Sequence, residues 1–374
     1  MSINIKKKKV LILSTVARQF YLFEKYNIPL LKELGYEVHC AANNKISDMK
    51  KIEKLNIKFH LISIERNPFS LKNLKAFLEL NKLLKQEKFN LIHCHSPVGG
   101  VLGRLIGWKF KIKTIYTAHG FHFYKGAPII NWLVYYPIEK FLSKFTDILI
   151  TINKEDYKRA KTFYAKNIEY VPGVGIDVKK IQSVKVDKEQ KRKELGISMK
   201  DTVLLSVGEL NNNKNHIIPI KALAEIKNKN IFYLIAGNGP LKNYLQKEIK
   251  KLRLENQVKL LGYRDDIYEL DNISDIFIFP SKREGLGLAS LEAMASGLPI
   301  VASEIHGIKD YTQNEVTGYC IKKINVKGFK EGIEKLIENK KLRLKIGKQN
   351  IKIAEKYDIE NIKKIMRNIY QNKI

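Results

Sequence analysis

The chain has 374 residues, 44% of them hydrophobic, and its 68 Lys and Arg outnumber 38 Asp and Glu for a formal net charge of +30. That length predicts two domains rather than one core, the apolar content is that of a globular protein, and no apolar run reaches the ~18 residues of a membrane-spanning helix. Cys40, Cys94 and Cys320 are too few and too far apart for a disulfide or zinc framework; each falls in a predicted strand and reads as a reduced thiol of a cytoplasmic protein.

From the N-terminus, Lys6 to Lys9 followed by an apolar stretch has the outline of a signal peptide. The apolar part is short, lacks a cleavage site and runs into Arg18, so it reads as a buried strand over 10–14. A helix is expected over about 24–34, stopped by Gly35, with strands at 37–42 and 59–64. Residues 71–86 read as an amphipathic helix with Lys72, Lys75, Lys82 and Lys85 on its polar side. A strand at 91–95 leads through Pro97-Val98-Gly99-Gly100 into a helix carrying Leu102, Leu105 and Ile106. Strands follow at 114–118 and 148–152, and a turn-rich segment from Tyr170 to Asp177 closes this half. The Lys-rich stretch 179–193 is expected to be a linker and the next domain's first helix. Strands resume at 203–207, 231–236, 258–261, 276–279 and 300–302, and an amphipathic helix over 360–370 ends the chain. Strands alternating with helices at this spacing predict an α/β protein with two doubly wound, Rossmann-like domains facing a cleft.

In such sheets ligands collect beyond the carboxyl ends of the strands, and the chemistry-bearing motifs fall there. After 276–279 comes a glycine-broken loop, Glu284-Gly285-Leu286-Gly287, then a helix over about 288–296 that stops at Gly297 and Pro299. Gly285 and Gly287 let the backbone approach a ligand, and N–H groups at a helix start favour phosphate. Glu284 and Glu292 bracket that anion site. Eight helical positions at ~1.5 Å rise span roughly 12 Å, comparable to the distance from a hexose to the ribose in a nucleotide sugar. Two hydroxyl-reading carboxylates around a diphosphate cradle fit a nucleoside diphosphate sugar. Lys214, ahead of a helix after 203–207, is placed to neutralise a diphosphate. Gly237-Asn238-Gly239-Pro240 is a further, less specific turn. In the first half His119 and His122 join His93 and His95 at neighbouring strand ends, which raises a metal reading. His93 and His95 flank Cys94, however, and no Asp-x-Asp anchor occurs in the chain, so neither metal nor other cofactor is expected.

The string from Glu284 through Leu291-Glu292-Ala293-Met294-Ala295 to Gly297-Leu298-Pro299-Ile300-Val301 resembles the Glu-x7-Glu region of retaining, two-domain glycosyltransferases of family 4. Residues 93–101, 116–127, 131–137 and 149–157 resemble the exopolysaccharide and capsule subgroup of bacteria. The resemblance implies a GT-B arrangement: residues 1–180 on the acceptor side, 187–356 binding the nucleotide sugar, and a terminal helix over 357–374 packing back on the first domain. It implies that the N–H groups of Gly285, Leu286 and Gly287, with Lys214, hold the diphosphate. Glu292 would take the ribose and Glu284 the donor sugar, with Gly237 and Gly239 near the nucleotide and His119 beside the transferred sugar. Glu284 and His119 are thus the catalytic candidates. Glu209 stands where the family usually has an Arg, which leaves Lys214 more of the charge to carry. No protein nucleophile is implied; the acceptor hydroxyl attacks on the leaving-group face, and stabilising the departing diphosphate is the main task. The implied acceptor is a lipid-linked oligosaccharide on a polyprenyl diphosphate at the inner face of the cytoplasmic membrane. An anionic membrane surface also suits residues 1–113, where 22 Lys and Arg less 8 Asp and Glu leave a surplus of 14. The alternatives are a nucleotide-sugar 2-epimerase of the same fold and a basic nucleic-acid-binding protein. The latter would be expected to show a zinc finger, helix-turn-helix or RNA-binding aromatic motif, and none is present.

Overall fold

The computed structural model describes residues 7–43, 49–228 and 230–374. The chain forms two compact units, one running to Val174 and completed by Ile359–Ile374, the other Gly175–Asp358. In the first, β1 (Lys8–Val16), β2 (Tyr36–Asn43), β3 (Lys58–Leu61), β4 (Leu91–His95), β5 (Lys113–Ala118), β6 (Ile148–Thr151) and β7 (Asn167–Tyr170) make one parallel sheet in the order β3-β2-β1-β4-β5-β6-β7. In the second, β8 (Thr202–Val207), β9 (Ile231–Ala236), β10 (Val258–Gly262), β11 (Ile276–Phe279), β12 (Ile300–Ser303) and β13 (Gly318–Ile321) are also parallel, in the order β10-β9-β8-β11-β12-β13. Both are doubly wound: strand order reverses between β1 and β4 in one and between β8 and β11 in the other.

The central strands are buried over most of their length because helices cover both faces of each sheet. Along β1 the side chains part with the period of two that a strand imposes. Leu11 and Leu13 enter a layer with Cys94, Leu102 and Tyr116, whereas Val10 and Ile12 enter one with Phe20, Leu31 and Ile115. Ile362, Met366 and Ile369 of the terminal helix Ile359–Asn372 complete the second layer, which makes that helix part of the first unit's core. The helix Pro97–Phe110 lies close on β4 and β5. A Cβ on Gly100 would meet the Tyr116 ring at 2.4 Å, one on Gly103 the Cys94 Cβ at 2.5 Å, and one on Gly107 the Thr114 hydroxyl at 2.1 Å. Cys40, Cys94 and Cys320 are free thiols, and burial pushes Cys94 up to about 12. Among the described residues no helix is long and apolar enough to cross a membrane.

Three local expectations change. The helix expected over 24–34 is shortened to Asn27–Glu33, and a separate short helix, Arg18–Leu22, precedes it. Pro29 explains the late start, since its ring is tolerated only in a helix's first turn; Glu24, left outside, turns inward and is buried. The chain also adds the edge strand β7, which carries no apolar run because an edge buries less than a centre. Finally, the division expected after 180 and before 357 lies at 174/175 and 358/359. Ile176 N–H donates to the Tyr357 carbonyl (3.0 Å) and Val178 N–H to the Asp358 carboxylate (3.3 Å), which ties both segments to the second unit.

Candidate active site

At the reversal point of the second sheet, β8 and β11 run side by side and lead into residues 208–216 and 280–287. An asparagine turn is stitched onto the second of these loops. Asn211 Oδ1 accepts from the N–H groups of Asn213 (3.0 Å) and Lys214 (2.9 Å), and Asn213 Nδ2 donates to the Arg283 carbonyl (2.9 Å). Lys282 N–H returns a bond to the Asn213 carbonyl at 2.8 Å. So held, the Lys214 ammonium donates to Glu284 Oε1 at 2.5 Å and lies 5.2 Å from the centre of the Phe279 ring. The two side chains are 23% and 12% exposed, which shelters the pair from ionic screening. Residues given separate duties from the sequence therefore touch. Behind them the His216 ring is buried and lowered to about 4, by burial first and by the Lys214 charge second.

Gly287 opens the helix Leu288–Ala295 at φ +92°. A Cβ there would fall 2.6 Å from the Phe279 ring and 3.0 Å from the Tyr311 hydroxyl, so torsion and space both require glycine. The Leu286 side chain is buried and its carbonyl accepts from the Tyr311 hydroxyl (2.9 Å), so what Leu286 offers a ligand is its N–H. Among the described residues the N–H groups of Leu286 and Gly287 have no backbone acceptor. Gly307 N–H donates to the Glu284 carbonyl (3.2 Å), and a Cβ on Gly307 would sit 1.8 Å from the Gly285 oxygen.

Glu284 precedes the helix and Glu292 is its fifth residue, so a three-residue loop and about one turn of helix lie between them and the expected eight-position helical span does not hold. Glu292 Oε1 accepts from the Tyr268 hydroxyl (3.1 Å). On the same helix as Tyr268, Ile267–Ile273, Asp271 is buried; burial, then the Glu292 charge, raises its carboxyl well above the usual range. Gly237 and Gly239 let two loops cross: a Cβ on the first would lie 1.9 Å from the Gly208 oxygen and one on the second 2.5 Å from the Leu210 oxygen. Glu209 is exposed. Tyr268, Asp271, Asn213 and Gly307 carry no motif; they reach the site only through the fold.

In the first unit, His93, His95 and His119 gather at the ends of β4 and β5. His93 is enclosed, with Nδ1 at 2.8 Å from the Tyr370 hydroxyl and Nε2 at 2.8 Å from the Thr117 hydroxyl. His95 Nδ1 lies 3.1 Å from His119 Nε2, which also lies 3.0 Å from Gln19 Nε2. Burial holds all three rings neutral, His93 at about 3 and His119 at about 4. Donor atoms of Glu24, His93 and His95 lie within 4.8 Å of one another, but both nitrogens of His93 are already engaged. His122 stands apart, stacked on Tyr135 at 4.7 Å.

Two doubly wound parallel sheets on one chain define the GT-B class of architecture, and similarity to known proteins narrows it. Residues 187–353 match the family model described as glycosyl transferases group 1, and residues 9–153 match glycosyl transferase 4-like. The putative glycosyltransferase EpsD of Bacillus subtilis is 36% identical over 371 residues, 97% of this chain and 96% of that protein. The UDP-Gal:alpha-D-GlcNAc-diphosphoundecaprenol alpha-1,3-galactosyltransferase of Escherichia coli is 31% identical over 310 residues, 80% of each. In fold the chain is similar to HepE of Anabaena, solved in complex with UDP, at TM-score 0.82, 19% identity and coverage of 97% and 99%. The chain belongs to the family 4 glycosyltransferases and is a glycosyltransferase of the type found in bacterial polysaccharide biosynthesis. These similarities give no support to the epimerase or nucleic-acid-binding readings.

Proposed function

We propose that this enzyme moves a hexosyl or N-acetylhexosaminyl group from a nucleoside diphosphate sugar to a polyprenyl-diphosphate-linked oligosaccharide, with retention and without a metal. The observation that carries the reading is the sheltered Lys214–Glu284 pair beside the Leu286 and Gly287 N–H groups. A fixed cation and backbone donors supply the positive field that a departing diphosphate needs. Glu284 is then released from Lys214 to a hydroxyl of the donor sugar, Glu292 takes the ribose, and His119 stands at the transferred sugar. The relative from Escherichia coli supports the donor and acceptor classes, since its name specifies UDP-Gal, a diphosphoundecaprenol acceptor and an α-1,3 bond. The test is a panel of UDP- and GDP-sugars with a synthetic polyprenyl-diphosphate sugar acceptor, with and without EDTA. The product is expected to keep the donor's α configuration by proton NMR, with most activity surviving EDTA; inversion or metal dependence would contradict the reading.

The same reading places the enzyme at the inner face of the cytoplasmic membrane, and the surface of the first unit supports an anionic bilayer as its partner. The helices Lys72–Glu87, Pro97–Phe110 and Ile129–Leu142 lie on one side of the sheet and in contact in sequence order. Their outer faces, with the loop before the first, leave Phe69 (84% exposed), Leu71 (80%), Leu74, Leu78, Ile129 (78%) and Leu133 in solvent. Lys109, Lys140 and Lys144 stand over nearby aromatic rings at 5.1–5.9 Å from their centres. Trp108 is exposed, whereas Phe110 packs inward. Each Lys near an anionic surface contributes roughly 1 kcal/mol, lost over a Debye length of ~8–10 Å. The full chain should therefore sediment with anionic but not neutral vesicles, and less at high salt. Leu74→Ser with Leu78→Ser should weaken binding ~10-fold or more; equal binding to neutral vesicles would refute the surface.

A further inference from the structure

The first unit contains a line of polar groups whose joint role the transfer reaction leaves unassigned: Glu24, His95 and His119. Glu24 sits between the two short helices Arg18–Leu22 and Asn27–Glu33, 1% exposed, and its Oε2 accepts from Asn27 Nδ2 at 2.8 Å. Its other oxygen lies 3.5 Å from His95 Nε2, a nitrogen that is buried and has no hydrogen-bond partner at this separation. The far side of the His95 ring meets His119 Nε2 at 3.1 Å, and Gln19 Nε2 reaches the same nitrogen at 3.0 Å. His119 is the only member of the line with partial access to solvent. His93 is adjacent but tied off by Tyr370 and Thr117, so it does not join.

Neutral imidazole has one N–H, so a line of two such rings is ordered from end to end. When Glu24 is a carboxylic acid, a small closing of the 3.5 Å gap lets it donate to His95 Nε2, while His95 Nδ1–H donates to His119 Nε2 and Gln19 donates there too. His119 then keeps its proton on Nδ1. When Glu24 is a carboxylate, the line reverses. His95 Nε2–H donates to Glu24, His119 Nε2–H donates to His95 Nδ1, the Gln19 amide turns its oxygen to accept, and His119 Nδ1 is bare. The change moves the Glu24 proton to His95 and the His95 proton to His119. It releases one proton, from His119 Nδ1, to solvent, so the count balances.

We propose that Glu24 is a positioning residue which, through His95, decides whether His119 presents a hydrogen-bond donor or an acceptor at Nδ1. The catalytic consequence rests on the reading that His119 stands at the transferred sugar; the tautomer itself does not. A donor at Nδ1 suits a ring that must hold a sugar hydroxyl, and the acid form of Glu24 supplies it.

The surroundings decide which form prevails at neutral pH. Burial raises the Glu24 carboxyl to about 8, against the opposing Asn27 bond. The other groups that face it are Gln19, His93 and His95, Cys40 on β2 and Tyr370 on the terminal helix, none of which carries a positive charge. Lys32 is engaged with the carbonyls of Leu55 and Asn56. The acid form is therefore favoured below about 8, and the reversal comes as pH rises through that value.

The experiment uses the full chain labelled with 15N-histidine. The tautomer of His119, assigned with His119→Gln, is followed by long-range 15N–1H correlation from pH 6 to 10 in wild type and in Glu24→Gln. Wild type is expected to pass from Nδ1–H to Nε2–H near pH 8, and Glu24→Gln to show no crossover. In turnover, the ratio of kcat at pH 7 to kcat at pH 9.5 should be ~10 or more in wild type and within about twofold of unity in Glu24→Gln. A wild-type His119 tautomer that stays constant over this range overturns the proposal, whether or not the variant folds, as does a crossover that persists in Glu24→Gln. Full activity of His119→Ala would instead remove His119 from the sugar while leaving the crossover in place, so the two failures are distinguishable.

Discussion

Lys214→Ala is expected to lower kcat/KM by ~10³-fold or more, with losses in both donor affinity and kcat. A cation on the diphosphate acts in the ground state, and acts more strongly as negative charge grows on the leaving oxygen. A factor of ~10³ corresponds to about 4 kcal/mol, within the range seen when one preorganised electrostatic donor is removed. The structure adds a second cost, because Lys214 is the partner on which Glu284 rests at 2.5 Å. Without it a largely sheltered carboxylate faces an incoming diphosphate, and repulsion adds to the missing attraction. Glu284→Gln should differ: turnover falls ~10²-fold or more while donor binding largely survives, since the carboxylate serves the reacting sugar and not the nucleotide. The double variant should fall short of the product of the two, because the residues touch. Steady-state kinetics with donor varied, beside calorimetric donor binding, separates these outcomes. Wild-type turnover in Glu284→Gln would remove it from the catalytic set.

Glu139→Ala is expected to destabilise the first unit by about 3–5 kcal/mol, the cost of leaving a buried charge without its partner. Arg104 is fully buried on the helix Pro97–Phe110, where Nε donates to the Gly100 carbonyl (2.8 Å) and Nη1 to Glu139 (2.8 Å). The guanidinium lies 4.1 Å from the centre of the Tyr116 ring, and the Tyr116 hydroxyl bonds the other Glu139 oxygen at 3.3 Å. Gly100 leaves the space that this stack occupies, as a Cβ there would strike the same ring. The double replacement Arg104→Met with Glu139→Leu should recover most of the stability, because it removes both charges rather than one. Urea unfolding of the single and double variants checks both statements; a single variant within about 1 kcal/mol of wild type would show the pair to be solvated.

Local sequence is enough to define the class of fold and the neighbourhood of the site. Apolar-rich runs at 10–14, 91–95, 203–207, 231–236 and 276–279, broken only by Ser14, His93, His95 and Ser206, state that strands are buried on both faces, and parallel sheets under helices do that. Gly285, Gly287 and Lys214 follow such strands directly, so order along the chain puts them at strand ends. The edge strand β7 is not legible, because a half-exposed strand need not be apolar. The late start of the helix ahead of Pro29 is legible in principle, but the 3.6-residue period of the apolar positions around it points to a longer helix. Contacts between residues far apart in the chain belong to tertiary structure. Lys214 and Glu284 are seventy positions apart and share one ion pair; Glu24, His95 and His119 come from three separate segments and share one line of protons. Composition and spacing record which groups are present and what local structure they favour. Which buried acid faces which buried base is set by the order of strands in the sheet, and that order follows from the packing of the whole chain.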